Sequence, residues 1–451
     1  MYDGKAIFKR NRIIKFAKQS DAVKREVESN RCKECDQKNT GYKWCNSCNA
    51  KHFQENFKNW DSGNDDINKF IQDIQLSANG YHKLIEWIPF DKLHNIEYIA
   101  KGGFGMVYKS KWVDGYIQSW DNKKQDWKRL GSNMFVALKS LNNSKNVTIE
   151  FINEITLHHK ITYYGSSIVK LYGITQDPNT KNYMMVLDYA EHGSLRTYLN
   201  ENYGKLSWDT KINDLYCIAF GLYNIHKNEL IHRDLHIGNV LKFPYYSSIT
   251  DMGLCKPADY NASENTKNSI YGVLPYIAPE VLRGQNYTKA ADIYSFGIIM
   301  YEVISELPPY YDVSHDNNLA LWICLGLRPR FNIKVPISFV NLIKQCLDAN
   351  SSKRPKAEEI IKILDKWNDE FGNNESELNR QIREAEEINK NYENILSTDL
   401  SYETHPEAIY TSRLLKFSNL PEPGNSDDYY DEKNDNITSV KFSDSLQIDI
   451  I

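Results

Sequence analysis

A chain of 451 residues exceeds what one compact core usually fills, so one large domain or two smaller ones with tails are expected. Hydrophobic residues make up 41% and charged residues 25%, which sets the chain apart from disordered and fibrous proteins. The net charge of −4 argues against bulk nucleic-acid binding, and no run approaches the roughly 18 uncharged apolar residues of a membrane span.

In chain order, residues 1–30 are a basic tail with nine Lys/Arg against four Asp/Glu in residues 1–31. Few aromatics interleave that charge, so a solvated, poorly ordered tail is expected rather than a nucleic-acid site. Lys9, Arg10, Arg12 and Lys15 leave no apolar core for a signal peptide, and Tyr2 stands where myristoylation needs glycine. A cytoplasmic protein is expected, with nuclear entry left open. A Cys-rich module at 31–52 is followed by a helical linker at 53–90, with Phe70, Ile71, Ile74, Leu84, Ile85 and Trp87 as apolar positions.

From Ile96 to Leu141 the pattern changes to aromatic, β-branched strands at Ile96–Ile99, Val107–Trp112 and Phe135–Leu138. The polar stretch Asp114–Asn133, with Trp120 and Trp127, reads as a long hairpin loop or insertion. Beyond Trp208 helical periods dominate, as in Ile212–His226 and Ala290–Ser305. A small β-rich lobe followed by a large α-helical lobe, an α+β fold, is the expected architecture. Residues 369–451 form a polar to acidic extension with one helix, where Leu378, Ile382, Ala385, Tyr392 and Leu396 share a face. That face suits partner docking or a solvated C-terminal helix equally well.

Several segments carry chemistry. Ile99–Tyr108 contains Gly102, Gly103 and Gly105 between two strands, and backbone amides can cover a phosphate chain only where no Cβ intrudes. On the next strand, Val136–Ala137–Leu138–Lys139 places a lysine that needs a charge partner, and Glu154 on the helix Thr148–Lys160 can clamp it. Then come Ile231–His232–Arg233–Asp234–Leu235–His236–Ile237–Gly238–Asn239, Asp251–Met252–Gly253 and Ala278–Pro279–Glu280.

The ordered set resembles the protein-kinase family over 91–368: a glycine loop, a strand lysine, the catalytic loop H-R-D-L-x-x-x-N, D-F-G and A-P-E. Gly326–Leu327–Arg328–Pro329 and Lys353–Arg354–Pro355 resemble signatures of the tyrosine and tyrosine-kinase-like branches, and with the Cys-rich module the chain is similar to tyrosine-kinase-like enzymes greatly multiplied in some fungi. The resemblance implies a bilobal kinase fold, protein substrates, ATP and Mg²⁺. It implies Asp234 as acceptor of the substrate hydroxyl's proton, with Lys139 on the phosphates, Glu154 holding it, and Asn239 and Asp251 on Mg²⁺. Nucleotide contacts are implied at Ala100, Gly102, Gly103, Phe104, Gly105, Val107, Ala137, Lys139, Asp188 and Ala190, with Leu187 at the back of the adenine pocket and Asp188–Ala190 as the hinge. Asp292 would brace the catalytic loop, and Arg354 would pair with Glu280.

Ala100 replaces the first loop glycine, Met252 the D-F-G phenylalanine, and Val273 a threonine usual in serine/threonine kinases. His236 stands where those kinases carry lysine, and its imidazole suggests sensitivity to pH around 6–7. Serine/threonine specificity is favoured; tyrosine or dual specificity and a pseudokinase scaffold that binds ATP without catalysis are the alternatives. Arg233 is placed to meet a phosphorylated activation segment, with Ser263, Thr266 and Ser269 as candidate acceptors.

Cys32-x₂-Cys35-x₉-Cys45-x₂-Cys48 forms two thiolate knuckles suited to one tetrahedral Zn²⁺, with His52 as a spare ligand and partner docking or folding as its role. Cys217, Cys255, Cys324 and Cys346 are scattered and read as small core residues, without disulfides.

Overall fold

A computed structural model describes residues 31–41, 43–102, 105–141, 149–162, 165–258, 270–372, 375–395 and 403–426. Gly103, Phe104, Tyr260, Ser263, Thr266 and Ser269, the basic tail at 1–30 and the acidic end from 427 lie outside the described residues. The chain divides into two compact units, the first ending at Glu191 and the second beginning at His192.

The first unit starts with helices α1 (Asn46–Asn56) and α2 (Asp65–Ser77). Asn64 caps α2 by accepting the Ile67 N–H, and Ile67, Ile71 and Ile74 bury one stripe at helical spacing. The strands follow as β1 (Glu86–Trp87), β2 (Leu93–Gly102), β3 (Gly105–Trp112), β4 (Tyr116–Asp121), β5 (Asp126–Leu130) and β6 (Met134–Leu141). Helix α3 (Ile149–Ile161), β7 (Leu171–Gln176) and β8 (Tyr183–Asp188) complete the unit. Six strands form one sheet in the order β1-β7-β8-β6-β3-β2, antiparallel except for β1 with β7.

Strand period sets what this sheet buries. On β6, Val136 and Leu138 face a core shared with Ile88, Leu93, Trp112, Tyr172, Met184 and Val186, so Ala137 and Lys139 face the other way. Each such apolar side chain contributes about 1.5–3 kcal/mol by leaving water.

Strands β4 and β5 pair only with each other, making the insertion between β3 and β6 a separate hairpin. It carries the Cys-rich module on its aromatic face. Trp44, Phe53, Ala78, Leu84 and Ile117 form a second core with Trp127 packed against it. Trp120 stacks on His52 at 3.9 Å and Trp127 on Phe53 at 4.2 Å. Below this cluster the buried Glu86 carboxylate holds the hairpin by accepting from the Ile117 N–H and, at 2.6 Å, from Arg129.

The second unit is helical: α4 (Leu195–Glu201), α5 (Trp208–Lys227), α6 (Pro279–Leu282), α7 (Lys289–Ser305), α8 (Asn317–Cys324), α9 (Ile337–Cys346), α10 (Ala357–Glu370) and α11 (Glu377–Ile395). Helix α7 is buried on every side from Ala291 to Ser305, and α5 packs against both α7 and α10. Between α5 and α6 lie short strands β9 (Leu230–Ile231), β10 (Val240–Lys242), β11 (Ser247–Ile249), β12 (Lys256–Pro257) and β13 (Ile270–Gly272).

Over its described positions the apolar face of α11 is covered by the chain itself. Leu378, Ile382 and Ala385 are buried, Ser338 at the start of α9 donates to Gln381, and the Lys334 N–H donates to Asn389. Neither of the two readings of that face, a partner dock or a solvated helix, describes it. Beyond α11, residues 403–426 lie along this same unit, and β14 (Arg413–Leu415) pairs antiparallel with β13.

No helix among the described residues is long and apolar enough to cross a membrane. The overall architecture is mixed α+β, a strand-rich first unit and a helical second one, as the sequence leads one to expect.

Candidate active site and metal centre

In the first unit, Lys139 lies on β6 between Val107 of β3 and Met185 of β8. Its Nζ donates to Glu154 Oε1 of α3 at 2.9 Å, and both residues are buried. A lysine directed inward on a sheet is stable only when its charge is met, and α3 brings the carboxylate that meets it. β2 and β3 pair Ala100 with Val107 and Gly102 with Gly105, so these two glycines stand opposite each other at the ends of paired strands. Ala100 is exposed, and its methyl displaces no packed neighbour.

Leu187 and Ala190 are buried at the end of β8, and the Asp188 N–H donates to the Lys170 carbonyl. Burial pushes the Asp188 carboxyl up to about 6 against the pull of nearby Lys170.

In the second unit, the catalytic-loop residues are held from below by Asp292 of α7. Its Oδ2 accepts from the His232 N–H at 2.8 Å and bonds His226 Nε2 at 2.9 Å, and its Oδ1 accepts from the Arg233 N–H at 3.0 Å. With its backbone pinned, Arg233 holds a left-handed φ of 71° and lays its guanidinium over the Tyr287 ring, 4.8 Å from the centroid. The bracing expected of Asp292 is therefore present in the geometry.

Asp234 is buried in the turn above that brace, and Asn239 Nδ2 donates to its carbonyl at 2.9 Å. The antiparallel β10–β11 hairpin pairs Val240 with Ile249, and the Thr250 N–H donates to the Asn239 carbonyl. Asn239 and Asp251 thus emerge at the same end of one hairpin. Asp251 takes a left-handed φ of 64°, with its carboxylate accepting from the Gly253 N–H at 3.3 Å. Met252 is fully buried, so its flexible side chain fills the apolar slot expected for it. Burial, with the Asp251 charge nearby, pushes Asp234 up to about 7, against the hydrogen bonds it accepts from Ser412 and Asn239.

His236 departs from expectation. Its Nδ1 accepts the Gly238 N–H at 3.1 Å, which fixes that nitrogen as unprotonated, and burial pushes the ring down to about 3. The imidazole is neutral throughout the physiological range, so no sensitivity around pH 6–7 arises from it.

Glu280 and Arg354 form the expected pair, bidentate at 2.7 and 2.8 Å and buried. Sequence reasoning missed Ser412, whose Oγ donates to Asp234 Oδ2 at 2.7 Å and Oδ1 at 2.9 Å. The surrounding Thr411–Ser412–Arg413 carries no motif, and 178 residues separate it from Asp234, so no local signal could reveal it.

The four cysteines meet in one cluster. Their sulfurs lie within 4.8 Å of one another, with Cys32–Cys48 and Cys35–Cys45 both at 3.7 Å. Tetrahedral Zn–S bonds of about 2.3 Å require S···S separations of about 3.8 Å, so the donor set fits Zn²⁺ in both chemistry and spacing. Burial pushes the Cys45 and Cys48 thiols up, so a metal bound there would have to displace their protons. His52 is engaged elsewhere, bonding Glu34 at 2.9 Å and stacking on Trp120, and is not part of the donor set.

The first unit thus holds a buried lysine–glutamate pair, and the second a braced aspartate with an asparagine and an aspartate at one hairpin end, each of a kind that phosphoryl transfer uses. The family profile described as protein tyrosine and serine/threonine kinase matches residues 93–364, and the chain belongs to that family. A relative from Dictyostelium discoideum named as the probable serine/threonine-protein kinase gdt4 is 30% identical over 62% of this chain and 16% of its own. An Acanthamoeba polyphaga mimivirus protein whose name describes a serine/threonine-protein kinase/receptor is 28% identical over 69% of this chain and 18% of its own. In Arabidopsis thaliana, a protein named as the probable serine/threonine-protein kinase CST is 26% identical over 59% of this chain and 66% of its own. The chain spans less than a quarter of the length of most of these curated relatives.

Proposed function

We propose that the chain is an active, ATP-dependent serine/threonine protein kinase. The observation that carries this reading is the buried Lys139–Glu154 ion pair together with the buried Asp234, whose carbonyl accepts from Asn239. Lys139, steadied by Glu154, binds the phosphates of ATP, and the backbone at Gly102 and Gly105 covers them. Adenine is held by the hinge. Since the Asp188 N–H is spent on Lys170, the Asp188 carbonyl and the Ala190 backbone are the groups left for it. Ala137 and Val107 wall the base. The Asn239 amide nitrogen is spent on Asp234, which leaves its Oδ1, together with the Asp251 carboxylate, as oxygen donors for Mg²⁺. Mg²⁺ would supply neutralisation of phosphate charge there.

Asp234 orients the acceptor hydroxyl and takes its proton. Positioning and charge supply most of the rate, so the protein needs no covalent intermediate. Serine or threonine as acceptor accords with the names of the relatives. Incubation with γ-labelled ATP, Mg²⁺ and generic peptides is expected to yield phosphoserine and phosphothreonine. Bound ATP without transfer to any hydroxyl would convert the reading to a pseudokinase scaffold.

We infer further that Cys32, Cys35, Cys45 and Cys48 bind one structural Zn²⁺ that keeps the module docked on the β4–β5 hairpin. A metal-replete preparation should contain one zinc per chain, and Cys45→Ser should lose it. Because Trp44, Trp120 and Trp127 share that interface, chelation should shift tryptophan emission to the red. A zinc-free preparation with unchanged emission would refute the assignment.

A further inference from the structure

The segment 403–426 is fastened along the second unit by contacts on both sides of Ser412. The His405 N–H donates to the Tyr311 carbonyl at 2.7 Å, and Tyr410 Oη donates to the Pro309 carbonyl at 3.0 Å. Arg413 donates to the His315 carbonyl at 2.7 Å, and the Gly424 N–H to the Cys324 carbonyl at 2.8 Å. Between these anchors, Arg413, Leu414 and Leu415 pair with Gly272, Tyr271 and Ile270. The chain therefore runs as an added strand on β13, immediately before the Val273–Tyr276 turn, in the manner of a peptide bound by strand addition.

The register delivers one hydroxyl to the catalytic carboxylate. Ser412 Oγ carries a single proton, and both oxygens of Asp234 lie within hydrogen-bond reach of it. His236 Nε2 lies 3.1 Å from the same Oγ. Since the Nδ1 of that neutral ring accepts from Gly238, Nε2 bears the hydrogen and donates to Ser412. A serine oxygen that donates once and accepts once retains one lone pair. Gly272, opposite Arg413 in this pairing, holds φ at 149°, a backbone conformation that favours glycine.

We propose that Ser412 is an intramolecular phosphorylation site, with residues 403–426 acting as a tethered substrate of the chain's own active centre. This rests on the kinase reading given above. In the step, Ser412 Oγ forms a bond to the γ-phosphorus of ATP, and the bond from that phosphorus to the β,γ-bridging oxygen breaks. ADP leaves with the electron pair, and the Ser412 proton passes to the Asp234 carboxylate. Tethering gives the acceptor an effective concentration on the order of millimolar, so Ser412 outcompetes a free peptide present at micromolar concentration. The product carries a charge of about −1.5 to −2 beside Asp234 and Asp251, and that repulsion loosens the strap and admits other substrates.

The test uses the full chain with Mg·ATP and a generic serine peptide, following Ser412 phosphate by mass spectrometry. Phosphate should accumulate on Ser412 with a first-order rate constant unchanged over a hundredfold range of protein concentration. Peptide phosphorylation should show a lag of the same duration. The double variant Arg413→Pro/Leu414→Pro removes a ladder hydrogen bond whichever residue donates it. It should slow Ser412 modification at least tenfold and abolish the lag while peptide transfer persists. Peptide phosphorylation with Ser412 unmodified would overturn the proposal and leave a strap that only blocks. A Ser412 rate proportional to protein concentration would overturn the intramolecular step. Absence of transfer to both acceptors would instead overturn the kinase reading beneath it.

Discussion

Asp234→Asn is expected to lower kcat for phosphoryl transfer by about 10²–10⁴, the range for losing a positioned proton acceptor. The substitution keeps side-chain volume, and the loop should keep its shape, because Asp292 fixes the backbone at His232 and Arg233 independently of residue 234. An amide cannot take up the acceptor proton, and one of its two termini would present a donor to the incoming hydroxyl. ATP affinity should change little, since Asp234 is assigned to the acceptor and not to the nucleotide. The measurement is steady-state transfer to a peptide together with nucleotide binding on both proteins. Retention of more than a tenth of wild-type kcat would remove Asp234 from its assigned role. Burial that pushes this carboxyl up to about 7 serves that role: a group ready to take a proton is more useful here than one locked in its ionised form.

The second large effect is on stability. Arg354→Ala should destabilise the second unit by about 3–5 kcal/mol, because it strands the Glu280 carboxylate in a site where that side chain is 9% exposed. The same change deletes donors to the Asp348 carbonyl at 2.8 Å and the Ala290 carbonyl at 2.9 Å, so the start of α7 and the loop after α9 lose a common anchor. At roughly 2–4 °C per kcal/mol for a unit of this size, Tm should fall by about 10 °C. Arg354→Lys should recover only part, since an ammonium cannot reproduce the two parallel bonds or the further contacts of the guanidinium. Glu280→Gln with Arg354→Met, which leaves no buried charge, should be more stable than Arg354→Ala alone. A Tm within about 2 °C of wild type for Arg354→Ala would show that this pair contributes far less than its burial implies.

How much of this was written locally can be judged residue by residue. Lys139, Glu154, Asp234, Asn239, Asp251 and Asp292 all stand out in short runs, because the roles proposed for them need particular side chains at fixed separation on one strand, turn or helix. The meeting of the four cysteines was legible for the same reason: two knuckles that converge on one cluster leave their spacing in the sequence. Burial and hydrogen bonding, by contrast, settle what a recognised residue does. His236 shows this, since a histidine in a polar-looking loop turned out to be buried and fixed as neutral by a backbone N–H.

The sequence by itself determined the α+β class, the order of the strand-rich and helical segments, and the local sets of reactive side chains. Only the tertiary structure decided that α11 folds its apolar face onto its own unit, that the tryptophans of the insertion carry the cysteine module, and that Ser412 meets Asp234. Helix and strand periods say which face of an element is apolar, but not what covers it. Pairings such as β13 with β14 join segments far apart in the chain, and they leave no spacing to read because the intervening length is free to vary.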